Sequence, residues 1–341
     1  MSEDMDSYLW NGEGEPDQNV ASLEELLLPL RYTPQTLVRA AQDRHRSRRW
    51  IFWMTPVGAA ALILFCLAFN QWRLHWTADK PWPVQVVSGR PSINGLPLVG
   101  SGHLGIGQVL QTDSSSSAEM RVARIGTLEV APNTQLLLVA TRMHQHKIAL
   151  RHGKISARVW APPWSLSMET PSAMAFDLGC AFTLEVTPDG AGSVRVTSGW
   201  VQLESEGLQT LVPAGAQAET RNGFAPGSPY FQDATPEFKR ALQMLNFERL
   251  DPGAYQLALQ TVLTQARTRD VLTLFNLLPR SNPEQRAIIY DRAAQLAPPP
   301  VGVTRDGIVN GNQLMLDEWW DSLGYRKAKT WWLNWKDGVF F

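Results

Sequence analysis

The sequence predicts a multidomain protein: a short cytoplasmic tail, one transmembrane helix, an all-β domain and an all-α C-terminal domain. Three observations predict this order. An uncharged apolar run lies near the N-terminus, short alternating apolar and polar stretches recur in the middle, and apolar residues at helical spacing dominate the last third. The predicted bounds are 1–49 for the tail, 50–69 for the membrane helix, 70–83 for a stalk, 84–225 for the β domain and 226–341 for the Trp-rich helical domain.

The tail is predicted to be ordered only after residue 22, where Leu23–Leu30 forms a short amphipathic piece ended by Pro29. Residues 1–22 are acidic and polar and show no apolar period, so they are predicted to be disordered. Thr33-Pro34 suits the start of a helix, because threonine can cap the first turn and proline fits its first position. The sequence therefore predicts a helix over about 34–49.

The apolar run from Trp50 to Phe69 contains 20 residues and no charge. At about 1.5 Å per residue it is about 30 Å long, which matches the hydrocarbon core of a bilayer. Basic residues are denser before the run than after it, and this asymmetry places the N-terminus in the cytoplasm. The prediction is a single-pass protein of the inner membrane with periplasmic C-terminal domains. The basic cluster is also predicted to contact anionic lipid; it consists of Arg44, Arg46, Arg48 and Arg49.

The β domain is predicted from residues 84–225. Short stretches alternate between apolar and polar residues, and Gly, Pro, Asn, Asp or Ser interrupt them about every ten residues. Thr187-Pro188-Asp189-Gly190 has the residue types of a tight turn, because proline presets φ and glycine accepts a positive φ. This pattern is typical of a β-sandwich, a roll or a solenoid.

The helical domain is predicted from a change of period after a Gly- and Pro-containing linker at 222–230. Apolar residues then recur at helical spacing in several short segments, which indicates an antiparallel helical hairpin or a HEAT-like stack. The tryptophans near the C-terminus are predicted to pack against the core rather than to form a ligand platform. They are Trp319, Trp320, Trp331, Trp332 and Trp335.

Composition and motifs exclude several functions. The net charge of −1 gives no electrostatic case for nucleic-acid binding. No order of Ser, His and Asp, no phosphate loop and no carboxylate pair indicates an enzyme, and no cofactor is predicted. Cys66 lies in the apolar run far from Cys180, so no disulfide is predicted. His144 and His146 form a His-x-His pair, but no carboxylate nearby completes a metal site, so no metal is predicted.

Five segments of the β region follow the motif order of a known family. Together they resemble the FecR family over about residues 100–210. The segments are Gly107–Thr112 (GQVLQT), Leu128–Leu136 (LEVAPNTQL), Arg151–Val159 (RHGKISARV), Glu169–Val186 (ETPSAMAFDLGCAFTLEV) and Val196–Leu203 (VTSGWVQL). The resemblance implies a membrane-anchored signal regulator whose outer domain senses a protein partner and whose cytoplasmic N-terminus controls a sigma factor. Because the tail is too short for a full anti-sigma domain, a structural scaffold or interaction protein of the envelope is the alternative.

Gly179-Cys180 stands where the family usually has Gly-Thr. In some relatives that peptide bond breaks through an acyl shift onto the hydroxyl, and a thiol can perform the same shift. The alternative is a small cysteine buried on a strand, which is the usual environment of a free cysteine. We expect the buried cysteine and an intact peptide bond.

Overall fold

The structure, a computed structural model, describes residues 18–30, 61–72 and 74–325. The chain divides into two compact units, Met1–Leu67 and Ala68–Phe341. The second unit contains both the β domain and the C-terminal helices, so these two regions belong to one compact unit.

Helix α1 covers Gln18–Leu27 in the first unit, and one 3-10 turn, Leu28–Leu30, follows it. The sequence predicts disorder through residue 22, whereas α1 already begins at Gln18. The reason is that apolar residues of the segment recur at the helical period, which extends the helix towards the N-terminus. The predicted helix over 34–49 lies outside the described residues, as do Arg44, Arg46, Arg48 and Arg49.

The prediction of a transmembrane helix over 50–69 is wrong. Within residues 18–30, 61–72 and 74–325, no helix has the length and apolar character needed to cross a membrane. The described part of the apolar run, residues 61–69, is helical. An uncharged run fixes composition but not the ends of a helix. The location in the inner membrane rested on that span and stays a prediction.

Seventeen strands lie in the part of the chain that the structure describes. They are β1 Trp82–Ser88, β2 Ser92–Ile93, β3 Leu96–Pro97, β4 Ser101–Leu104, β5 Val109–Gln111, β6 Ser117–Val122, β7 Gly126–Val130, β8 Gln135–Arg142, β9 Gln145–Val159, β10 Leu166–Glu169, β11 Met174–Asp177, β12 Ala181–Val186, β13 Gly192–Ser198, β14 Trp200–Ser205, β15 Leu208–Pro213, β16 Ala216–Thr220 and β17 Tyr230–Phe231. The first sheet has the order β4-β1-β6-β7-β9-β12-β13-β16-β17. The second has the order β3-β2-β5-β8-β9-β10-β11-β14-β15.

Strand β9 belongs to both sheets. Its first half pairs with β8 and β10 in the second sheet, and its second half pairs with β7 and β12 in the first sheet. The bend falls at Gly153, whose φ of +98° is in the region that glycine adopts most easily. The β9–β10 pairing is parallel, and the other ladders of the described residues are antiparallel.

The core lies where alternate residues of the strands face inward. Strand β6, for example, buries Ala118, Met120 and Val122 and leaves the residues between them more exposed. The predicted stalk is part of this fold, because β1 begins at Trp82 and Trp76 is only 6% exposed. The predicted order of an all-β region followed by helices is present in the structure.

The helical region begins after β17. Its helices are α2 Pro236–Phe247, α3 Pro252–Gln265, α4 Val271–Leu277, α5 Pro283–Leu296, α6 Arg305–Val309 and α7 Gln313–Ser322. Helices α2, α3 and α5 each begin with a residue whose side chain caps the first turn, and a proline follows each cap. The capping residues are Thr235, Asp251 and Asn282. Trp319 and Trp320 of α7 are buried, and Trp331, Trp332 and Trp335 lie outside the described residues.

The helices pack closely on the β domain. The sequence suggests a linker over 222–230, but residues 226–231 are buried in the structure. Arg280 Nη2 donates to Thr210 Oγ1 of β15 at 2.9 Å and to the carbonyl oxygen of Pro226. Thr273 Oγ1 donates to the carbonyl oxygen of Pro229 at 2.7 Å. Burial lowers the pKa of Arg280 to about 10, so its hydrogen bonds are made by a cation in a poorly hydrated place.

Candidate functional site

The turn between β11 and β12 contains the predicted Gly179-Cys180 pair. It carries the chain from the second sheet to the first. Gly179 has a φ of +82°. Gly199, which lies where the chain returns from β13 of the first sheet to β14 of the second, has a φ of +73°. A Cβ added to Gly199 would lie 2.2 Å from the carbonyl oxygen of Gly179. The two crossings therefore approach each other as closely as they do only because position 199 has no side chain.

A buried carboxylate holds this turn from inside. Asp177 accepts hydrogen bonds from the backbone N–H of Gly179 at 3.2 Å, from the backbone N–H of Cys180 at 3.0 Å and from the Cys180 thiol. Asp177 has no exposed surface, and Cys180 is 3% exposed. The carboxylate therefore satisfies the polar groups of a turn that water does not reach.

Electrostatics keep the Cys180 thiol protonated. Burial is the main cause that raises the pKa of Asp177 to about 7, and the three hydrogen bonds lower it by less. Burial, followed by the charge of Asp177, raises the pKa of Cys180 well above its usual value. Because the thiolate is the nucleophile in an acyl shift, this environment opposes the step, although Asp177 is placed to accept the thiol proton. Cleavage between Gly179 and Cys180 stays a prediction, and the burial of Cys180 accords with the alternative.

Sequence reasoning missed Asp177 as a member of this site. The available signal was an aspartate at the end of an apolar strand, two residues before a glycine. Aspartate side chains commonly accept hydrogen bonds from backbone N–H groups two residues ahead, which stabilises turns. That signal predicts a turn, but it does not predict that the turn is buried.

Of the predicted His-x-His pair, His146 lies inside the β domain. His146 is 2% exposed, and its Nδ1 lies 2.7 Å from Thr141 Oγ1, which also accepts from Trp82 Nε1 at 3.1 Å. Burial, followed by the charge of His144, lowers the pKa of His146 to about 4. His146 Nε2 is buried and has no hydrogen-bond partner among the described residues. In those residues, no group of three or more His, Cys, Asp or Glu could hold a metal ion.

An apolar face of α1 is exposed. Leucines recur along one side of the helix and the turn after it, with exposed fractions of 62% at Leu23, 77% at Leu26 and 78% at Leu30. The helix buries none of its residues. With about 3.6 residues per turn, Glu24 and Glu25 lie on a different side of the helix from these leucines. The helix therefore has an apolar side and an acidic side.

Comparisons with known proteins give no family. No protein-family model matches the chain, and none of the curated proteins matches it. Two crystal structures, each described as a proposed anti-sigma factor from Parabacteroides distasonis, are similar to it at 13% sequence identity. One covers 46% of this chain and 74% of its own, with a TM-score of 0.33, and the other covers 52% and 74%, with a TM-score of 0.27. Scores this low do not assign a function to this chain.

Proposed function

We propose that the chain is a regulatory binding protein that holds a sigma factor through the leucine face of α1. Its β domain, on this proposal, is a FecR-like module that responds to a second protein partner. The observation that carries the proposal is the exposed leucine stripe of α1, with none of the helix buried. Amphipathic helices of this kind commonly bind by laying the apolar face into a groove of a partner.

The composition of the helix indicates the kind of groove. Burial of one leucine side chain stabilises a complex by about 1.5–3 kcal/mol before the costs of association. Glu24 and Glu25 border the leucines, so a groove with a basic rim is the complement. A helix of ten residues is much smaller than a standard interface of about 800 Å² per partner, so we expect affinity near the micromolar range.

The test is binding of the full chain to each sigma factor of its own organism, measured by surface plasmon resonance. We expect one of them to bind, and Leu23→Ser with Leu26→Ser to weaken that binding by about tenfold or more, because two apolar anchors are lost. Gln18→Ser, on the first turn of the same helix, is the matched control. Absence of binding to every sigma factor, or unchanged binding by the double variant, would overturn the proposal and favour a structural scaffold.

A further inference from the structure

A cavity of about 550 Å³ lies where residues 71–72 and 75–80 meet the turn between β6 and β7. This volume falls within the range of about 300–1,000 Å³ that is usual for small-molecule sites. Among the described residues, its lining combines aromatic and basic side chains and contains no acidic one. The principal lining residues are Trp72, His75, Trp76, Lys80, Arg124 and Met143.

Arg124 is fixed at the wall of this cavity with most of its donors unused. Its guanidinium carbon lies 3.8 Å from the centre of the Trp72 ring and 5.6 Å from that of Trp76. Nη1 donates to the carbonyl oxygen of Trp72 at 2.7 Å. A guanidinium carries five N–H donors, and Arg124 makes no other side-chain hydrogen bond or ion pair with the described residues.

Trp76 and Lys80 form another part of the wall, and hydrogen bonds hold Trp76 in place. Trp76 is 6% exposed, and its Nε1 donates to the carbonyl oxygen of Lys80 at 2.8 Å. Its backbone exchanges two hydrogen bonds with Met143, at 3.2 and 2.6 Å. Lys80 Nζ lies 4.6 Å from the centre of the Trp76 ring and pairs with no carboxylate of the described residues. Two cations therefore face one cavity without a described counter-charge.

We propose that this cavity binds a small organic anion with a flat apolar body, whose phosphate or carboxylate contacts Arg124 and Lys80. A guanidinium held by aromatic rings presents its remaining N–H groups in a fixed fork, which suits the paired oxygens of such an anion. Trp72 is 56% exposed, so its ring provides the apolar surface on which the body of the ligand packs.

The test uses 1-naphthyl phosphate as the probe and calorimetric titration of the full chain. We expect 1-naphthyl phosphate to bind more tightly than uncharged 1-naphthol. Arg124→Gln should weaken binding of the phosphate by about tenfold or more, because charge-assisted hydrogen bonds are lost, and should leave 1-naphthol unchanged. Arg121→Gln removes the same charge from an exposed position on β6 outside the cavity, and it should bind as the native chain does.

A second arm identifies the source of the anion. Sedimentation with phosphatidylglycerol vesicles, blocked by 1-naphthyl phosphate and lost in Arg124→Gln, would place the anion on a lipid, whereas binding of the free compound alone would indicate a soluble ligand. Either result supports the cavity as the site. Lys80→Gln repeats the test without altering the β6–β7 turn, in case Arg124→Gln unfolds. Equal affinity of both variants and the native chain, or no binding of either probe, would overturn the proposal.

Discussion

The chain passes between the two sheets at Gly153 and again at Gly179, and the two crossings are built differently. At the first, a hydroxyl lies beside the bend: Thr134 Oγ1 accepts from the backbone N–H of Lys154 at 3.0 Å. At the second, the buried carboxylate of Asp177 accepts the hydrogen bonds from the backbone N–H groups of the turn. A Cβ on Gly153 would lie 2.4 Å from Thr134 Cα, whereas a Cβ on Gly179 would have only the carbonyl oxygen of Ala161 nearby, at 3.6 Å.

The comparison shows that one backbone requirement has two physical solutions. Both glycines have a positive φ, but the first crossing is tightly packed beside a hydroxyl, and the second has more room and contains a buried carboxyl group. Steric changes should therefore affect the first crossing most, and pH should affect the second.

The largest expected effect is that of Gly153→Ala. We expect a loss of more than about 3 kcal/mol in the free energy of unfolding, because the new methyl group meets backbone atoms and φ is unfavourable. Gly179→Ala, the matched control, should lose only about 1 kcal/mol, since φ is unfavourable but space is available. Urea denaturation of both variants measures the difference, and equal losses would contradict the steric distinction.

Asp177→Asn should remove a pH dependence from the second crossing. The pKa of Asp177 is raised from 3.8 to about 7 in the folded chain, so its contribution to stability is fully present below pH 3.8 and is lost as pH rises through about 7. The loss is at most about 4 kcal/mol. Unfolding of the native chain and the variant at several pH values should give curves that separate over this window. Parallel curves would show that Asp177 does not titrate there.

His146→Gln should reveal a dependence of opposite sign. The pKa of His146 is lowered from 6.5 to about 4, so its contribution is present above pH 6.5 and is lost as pH falls towards 4. The upper bound is about 3 kcal/mol. Trp82 and Thr141 contact the ring and His144 acts on it through its charge, and all three remain unchanged, so the difference from the native chain isolates His146. A difference that does not vary between about pH 4 and 7 would contradict the shifted pKa.

The smallest expected effect is that of Cys180→Ala, a loss of about 1 kcal/mol from a buried position. We also expect the native chain to keep its intact mass after days at neutral pH, because the Cys180 thiol is buried and protonated. Mass spectrometry decides this second point. A fragment that begins at Cys180, and that disappears in Cys180→Ala, would show that Asp177 does activate the thiol.

Local periodicity in the sequence was enough to predict the order of the β region and the helical region. Alternating residues form strands such as β13, and apolar residues at helical spacing, such as Ala258, Leu259 and Val262, form helices such as α3. Both rest on interactions between near neighbours in the chain. The prediction of a transmembrane helix over 50–69 was wrong because the length of that helix was inferred from composition alone.

The candidate site was predictable only in part. Gly179 and Cys180 could be singled out by their place in a motif, but the role of Asp177 depends on burial that the sequence does not display. The contact of Trp82 with Thr141 joins residues 59 positions apart, and that of Arg280 with Thr210 joins residues 70 apart. Such pairings depend on the tertiary register of the strands, and no local pattern specifies them.

The distance along the chain between Arg280 and Thr210 has a consequence for synthesis on the ribosome. Strand β15 pairs on one side only, with β14, and Arg280 emerges 70 residues after Thr210. Until then, the N–H and C=O groups of that strand edge are open to other nascent chains. The contact of Arg280 with β15 therefore forms late, and a chain whose translation stops after β17 leaves this strand edge without it.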